Sequence, residues 1–175
     1  PDHPDRLIFD LDPSDGDFTK VQETAEAVRR VLKGHGVHSF VTTTGSRGLH
    51  IVVPLDRSAH VDALRPFARR VAQNVADAHP KLATAEQRKA RRGDRVLVDT
   101  FRTAYSQTAV GPYAVRARNG APIATPVTWE EALSTGMNAQ RYTLANIFHR
   151  LGQRDDPWAD IDGDPVRASR LAEGN

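Results

Sequence analysis

Two aspartates one residue apart, in Phe9-Asp10-Leu11-Asp12-Pro13, are the first residues along the chain that could do chemistry. In an extended strand, residues i and i+2 point to one face, so both carboxylates project together while Phe9 and Leu11 turn into a core. Aspartate is a poor strand former, and two in one short strand need a reason. At a separation of about 5–6 Å they would repel by about 3 kcal/mol at an effective dielectric near 20, and a divalent cation between them would reverse the sign. A third aspartate, Asp99, ends the apolar run Val96-Leu97-Val98 and would join the pair if the two strands are neighbours. Three carboxylates on one sheet edge can hold two Mg²⁺ or Mn²⁺ ions for in-line phosphoryl or nucleotidyl transfer. An isolated Asp-x-Asp-Pro more often just starts a turn, so the reading needs further residues.

Those lie in Thr44-Gly45-Ser46-Arg47-Gly48-Leu49-His50, which joins two β-rich runs. Two glycines let backbone N–H groups turn toward an anion, and Ser46, Arg47 and His50 can each donate to phosphate oxygens. Strand alternation places His50 on the same face as Val52 and opposite Leu49 and Ile51. The same residue types also make an ordinary tight turn and a plain sheet histidine, so taken singly they do not decide.

The elements that must position these groups follow from periodicity. Arg6–Asp12 reads as a strand stopped by Pro13-Ser14-Asp15-Gly16. Val21, Ala25, Val28 and Leu32 predict a helix ending at Gly34. His38–Thr44 and Leu49–Val53 predict a hairpin, and residues 62–78 a second helix with Pro66 near its first turn or at a kink. A basic helical stretch, Thr84–Arg92, should lead into strand Val96–Asp99. Tyr113–Arg118 reads as a further strand closed by Asn119-Gly120, with an extended connection between Pro122 and Pro126. Thr128-Trp129-Glu130-Glu131 is a capping box opening a short helix, and a last helix is expected over Thr143–Leu151. Residues 159–175 should form an acidic tail that frays. Helices between paired strands make the class α+β, and 175 residues suffice for one domain over residues 1–175.

Composition narrows the chemistry. Hydrophobic residues make up 39% and charged residues 26%, which excludes wholesale disorder. The chain has no cysteine, so a metal would be held by Asp, Glu or His, favouring a hard cation. No apolar run reaches membrane-spanning length and the first residues lack a signal-peptide pattern, so a cytoplasmic location is the default and no membrane is expected. The net charge of +2 hides an uneven distribution. From Lys81 to Arg118, nine Lys/Arg face three acidic residues, a local excess suited to a phosphate-bearing partner or to a solvated helix face.

With these segments in order, the sequence resembles the archaeo-eukaryotic primase superfamily, most closely the polymerase domain of bacterial DNA ligase D. The resemblance rests on Phe9–Pro13, Thr44–Leu55 and Val96–Asp99, and continues through Thr108, Pro112–Arg118, Gly120–Pro122, Thr125-Pro126 and Trp129–Glu131, ending near Asp156–Trp158. It implies a two-lobed α+β core whose RRM-like antiparallel or mixed sheet, flanked by helices, carries the acidic residues. It also implies a nucleotidyltransferase of non-homologous end joining that adds nucleotides, ribonucleotides by preference, to a DNA primer end. Asp10, Asp12 and Asp99 would bind two Mg²⁺ or Mn²⁺ ions, with Asp99 also placed to help activate the primer 3′-hydroxyl. Ser46, Arg47, His50 and Arg116 would hold the triphosphate of an incoming NTP or dNTP, and Arg92 would grip a DNA phosphate. Implied partners are DNA ends or a primer-template, a DNA ligase and a Ku-type end-binding protein.

Two departures stand out. Arg47 occupies a place where the family usually has Lys, and its planar fork is not equivalent to an ammonium. The family's domain also carries a substantial segment before the first Asp motif, which is expected to be missing here. No Lys-x-Asp-Gly ligase nucleophile occurs in the sequence, so nick sealing is not expected of it. Two rival readings remain: a non-catalytic nucleic-acid-binding relative, and a haloacid-dehalogenase-type phosphatase with Asp10 as nucleophile and Asp12 as acid/base. The phosphatase needs a parallel Rossmann-like sheet that this order of elements hardly yields.

Overall fold

The structure is a computed structural model that describes residues 2–103 and 108–174. Its centre is a six-stranded mixed sheet: β1 (Arg6–Pro13), β2 (Phe40–Thr43), β3 (Leu49–Pro54), β4 (Ala83–Thr84), β5 (Val96–Asp99) and β6 (Pro126–Val127), in the order β4-β5-β1-β3-β2-β6. Only β4 and β5 run parallel; every other pair is antiparallel. The β1 strand therefore sits between two antiparallel neighbours, which removes the parallel sheet that the phosphatase reading requires.

Period-two patterning sorts the two faces. Leu7, Phe9 and Leu11 are fully buried beside Val53, Ile51 and Leu49 of β3 and Val98 of β5. Against this face pack α1 (Phe18–Gly34), through Val21, Ala25, Val28 and Leu32, and α2 (Val61–Ala78), through Leu64, Phe67, Val71 and Val75. Burying each such side chain is worth about 1.5–3 kcal/mol, enough to fix the register and so commit the alternate residues to the opposite face. Asp17 caps α1 by accepting from the Thr19 N–H at 2.9 Å. Helix α1 ends at Gly34 as expected, and the left-handed Gly36 (φ +66°) lies just beyond it, with Val37 N–H reaching back to Leu32 O at 3.0 Å. Pro66 lies near the first turn of α2, as the sixth residue of the helix.

Several expected elements are shorter or absent. The stretch Thr84–Arg92 is not a helix: Thr84 pairs with β5, its hydroxyl accepts from Glu86 N–H, and only Lys89–Arg91 make one 3₁₀ turn. Hydroxyl-to-backbone bonds of this kind compete with helix formation. Tyr113–Arg118 is not a strand either. Tyr113 takes φ +61°, which breaks the extended alternation, and a single bridge between Val115 and Ile123 remains. Of the expected capping box only half forms. Thr128 Oγ accepts from Glu131 N–H at 3.1 Å, while the Glu131 carboxylate is drawn away to Arg150 and Tyr142. That helix, α3, covers only Trp129–Ala132, and α4 begins at Ile147 and runs to Leu151 because residues 143–146 form a turn held by Asn146.

The tail expected to fray is docked over its described residues. Val166 bridges Leu55, Asp56 Oδ1 accepts from Ala168 N–H at 2.9 Å, and α5 (Ala168–Ala172) packs on α2 with Leu171 buried. Acidic composition suggested a solvated tail, but Ile161, Val166, Ala168 and Leu171 supply enough apolar surface to anchor it.

Candidate active site

The face of the sheet opposite α1 and α2 carries a polar row. Asp10 is the register partner of Asp99 on one side and of His50 on the other, and His50 is the partner of Thr42. Asp99, Asp10, His50 and Thr42 thus run across β5, β1, β3 and β2, with Asp12 two residues along on the same face. Directly opposed residues bring Cβ atoms to about 4.5–5.5 Å, so the neighbourhood of Asp10 and Asp99 inferred from separate strands is a consequence of register.

Above the row sits the hairpin turn 44–48. The Thr44 hydroxyl organises it, donating to Gly48 O at 3.0 Å and accepting from the N–H groups of Ser46 and Gly48 at 3.2 Å each. Gly45 is left-handed at φ +62°, and a Cβ there would lie 2.8 Å from Arg116 Cγ and 3.1 Å from Ala124 N. Gly48 is pressed against β1, where a Cβ would fall 1.7 Å from Leu11 O. The turn is also held from above: Gln140 Nε2 donates to Ser46 O at 2.8 Å and Arg116 Nη1 to Thr44 O at 3.1 Å. The sheet and turn line an open cleft of about 700 Å³ together with Thr108–Val110, Ala114–Arg116 and Arg118.

Three arginines answer the three carboxylates. Arg102 Nε donates to Asp10 Oδ2 at 3.0 Å and lies 3.9 Å from Asp99 Oδ2. Arg47 Nη2 bonds both oxygens of Asp12, at 2.8 and 3.1 Å, and Arg92 Nη1 approaches Asp12 Oδ2 at 3.7 Å. His50 Nε2 is 3.4 Å from Asp10 Oδ1. Burial pushes the Asp10 carboxyl up, but His50 and Arg102 together outweigh it and hold the group below its ordinary value of 3.8. Among the described residues no three Asp, Glu or His side chains converge as a ready-made metal cage. The acidic row instead alternates with guanidiniums.

Of the sequence-derived candidates, Asp10, Asp12, Ser46, Arg47, His50 and Arg116 line the cleft, with Asp99 beside Asp10. Arg47 rests on Asp12, and Arg116 braces the turn. Arg92 approaches Asp12 from the loop before β5. It is largely enclosed, donating to Glu86 O at 3.0 Å and Gln87 O at 2.6 Å, so its guanidinium holds its own loop instead of presenting a surface cation. Arg95 is spent in the same way on the carbonyls of Arg91 and Arg92, which shrinks the basic patch inferred from composition. Sequence reasoning passed over Arg102, whose spacing of three after Asp99 was the available signal, and over Gln140, for which the sequence offered none.

The chain's residues 1–158 match the family model described as the LigD primase-polymerase domain. It is 35% identical over 167 residues to the multifunctional non-homologous end joining DNA repair protein LigD of Mycobacterium tuberculosis, covering 95% of this chain and 22% of the relative. The corresponding Pseudomonas aeruginosa protein is 33% identical over 171 residues, with 96% and 20% covered. The chain therefore spans about a fifth of the length of these curated relatives. Among solved structures it is similar to the polymerase domain of M. tuberculosis ligase D in complex with DNA, with a TM-score of 0.84 and 33% identity over 93% of this chain and 56% of that one.

Proposed function

The chain belongs to the LigD primase-polymerase domain family, and from that premise we propose that it is a metal-dependent nucleotidyltransferase that extends a DNA primer end during non-homologous end joining. The observation that carries this reading is the row Asp99–Asp10–His50 across three adjacent strands, beneath a glycine-framed turn. Asp10, Asp12 and Asp99 have the hard oxygen donors that Mg²⁺ or Mn²⁺ require, and two such ions would be shared among them. Bound there, the ions would screen the charge of the reacting phosphate and favour ionisation of the primer 3′-hydroxyl. Ser46, Arg47, His50 and Arg116 surround the space where a triphosphate would lie, supplying hydroxyl, guanidinium and imidazole donors. Asp99, beside Asp10, would accept the hydrogen bond of the attacking hydroxyl. His50 Nε2 lies 3.4 Å from Asp10 Oδ1, which orients the carboxylate, and its other ring nitrogen would be the one left for a phosphate.

The DNA end, a Ku-type end binder and a ligase complete the reading as partners, with ribonucleotides preferred over deoxyribonucleotides and the bacterial cytoplasm as the setting. No helix of the described residues is long and apolar enough to cross a membrane. A non-catalytic DNA-binding role is the second reading, favoured by the pairing of each site carboxylate with an arginine. Purified protein with Mn²⁺, a gapped or overhanging DNA and labelled NTPs or dNTPs separates the two. Extension that vanishes in Asp10→Ala and Asp99→Ala is the expected result. A gel shift with no extension by the unsubstituted protein would leave only the binding role.

A further inference from the structure

Arg102 sits where the two opposed carboxylates of the site need a cation, and it was brought there by Asp99 itself. Asp99 Oδ1 accepts from Phe101 N–H at 2.9 Å, which turns the chain back at the end of β5 and starts the single 3₁₀ turn Phe101–Thr103. That reversal carries Arg102 over the polar face of the sheet. The two oxygens of Asp10 are then divided, Oδ1 toward His50 Nε2 at 3.4 Å and Oδ2 toward Arg102 Nε at 3.0 Å. Asp99 Oδ2 lies 3.9 Å from the same Nε, so one guanidinium nitrogen faces both carboxylates.

We propose that Arg102 is a resident counter-ion of the Asp10–Asp99 pair that a divalent cation must displace, so that this side chain sets how tightly the site takes up metal. The inference rests on the metal-binding reading given above. Two features make displacement feasible. The Arg102 side chain is 40% exposed at the lip of the cleft, so it can swing out without disturbing the core. A guanidinium is singly charged and diffuse, whereas a divalent ion would sit about 2.1 Å from carboxylate oxygens and attract them more strongly. A guanidinium docked for about nine-tenths of the time weakens apparent metal binding about tenfold, because only the remaining fraction of molecules is competent.

Manganese binding to the purified chain, without nucleotide or DNA, tests this by calorimetry and by the loss of free Mn²⁺ signal in electron paramagnetic resonance. Arg102→Gln should bind Mn²⁺ about tenfold more tightly than the unsubstituted protein, and Arg102→Lys, which keeps a cation, should fall near the unsubstituted value. Melting in EDTA should be lower for Arg102→Gln, since the carboxylates lose their counter-ion, and Mn²⁺ should restore it. Asp99→Asn in the Arg102→Gln background should abolish the binding. Unchanged or weaker Mn²⁺ binding by a folded Arg102→Gln, with the Asp99 dependence intact, would overturn this proposal alone. Binding that survives Asp10→Asn and Asp99→Asn, or no binding by either form, would overturn the metal reading and this proposal with it.

Discussion

Replacing Gly48 by alanine should damage the site through backbone alone. The added Cβ would lie 1.7 Å from Leu11 O and 2.9 Å from Leu11 C, where an ordinary contact begins near 3.4 Å. Neither atom is the end of a flexible side chain, so the turn and β1 must part by well over 1 Å. Leu11 stands between Asp10 and Asp12, and any shift of its carbonyl moves both carboxylates relative to Asp99 and to the turn. Overpacking of this kind costs about 1–3 kcal/mol of stability. A displacement of about 1 Å among reacting groups costs roughly 100-fold in rate. Denaturant unfolding and steady-state primer extension on Gly48→Ala should therefore show a stability loss of about 1–3 kcal/mol and kcat/KM lower by about two orders of magnitude. A variant within about 0.5 kcal/mol in stability and with unimpaired extension would refute the close approach of the turn to β1.

Other consequences follow from the same structure. Arg150→Met strands the buried Glu131 carboxylate, whose partner Nη2 lies 2.7 Å away with side chains 5% and 10% exposed, and should cost about 3–5 kcal/mol in denaturant unfolding. Adding Glu131→Gln should recover part of it. Leu171→Ala should cost about 2–5 kcal/mol by leaving a cavity between α5 and α2, while extension per folded molecule stays unchanged. Because Asp10 is held below 3.8, the stability it contributes is fully present above that pH and is lost as pH falls through its lower folded value. Acid titration of Asp10→Asn should accordingly show a shallower decline below pH 3.8 than the unsubstituted protein shows.

The part of the fold legible in the sequence was the part that period-two and helical patterning dictate. Alternation in Arg6–Pro13 sent Leu7, Phe9 and Leu11 to one face and so committed Asp10 and Asp12 to the other. The Gly-Ser-Arg-Gly turn announced the β2–β3 hairpin. What could not be read was decided by tertiary hydrogen bonds. Thr84 was available for helix but was captured by β5, and Tyr113 takes a left-handed backbone with its N–H bonded to Ala124 O at 2.7 Å. The tail looked solvated by charge, yet Val166 bridges Leu55 and α5 packs on α2 with Leu171 buried. At the site, residue types gave the carboxylates and the anion-binding donors, whereas the pairing of Arg47 with Asp12 and of Arg102 with Asp10 depends on side-chain reach across strands, which no spacing rule encodes.

The most direct test of the account uses Asp99→Asn, which removes a charge and keeps the shape. DNA binding, followed by fluorescence anisotropy, and incorporation of one labelled nucleotide, followed under single-turnover conditions with Mn²⁺, should be measured in the same sample. The account predicts DNA affinity unchanged within about twofold and incorporation slowed by at least 1,000-fold, a barrier increase of about 4 kcal/mol. Incorporation at an undiminished rate would contradict the central claim that the Asp10–Asp99 pair carries the chemistry.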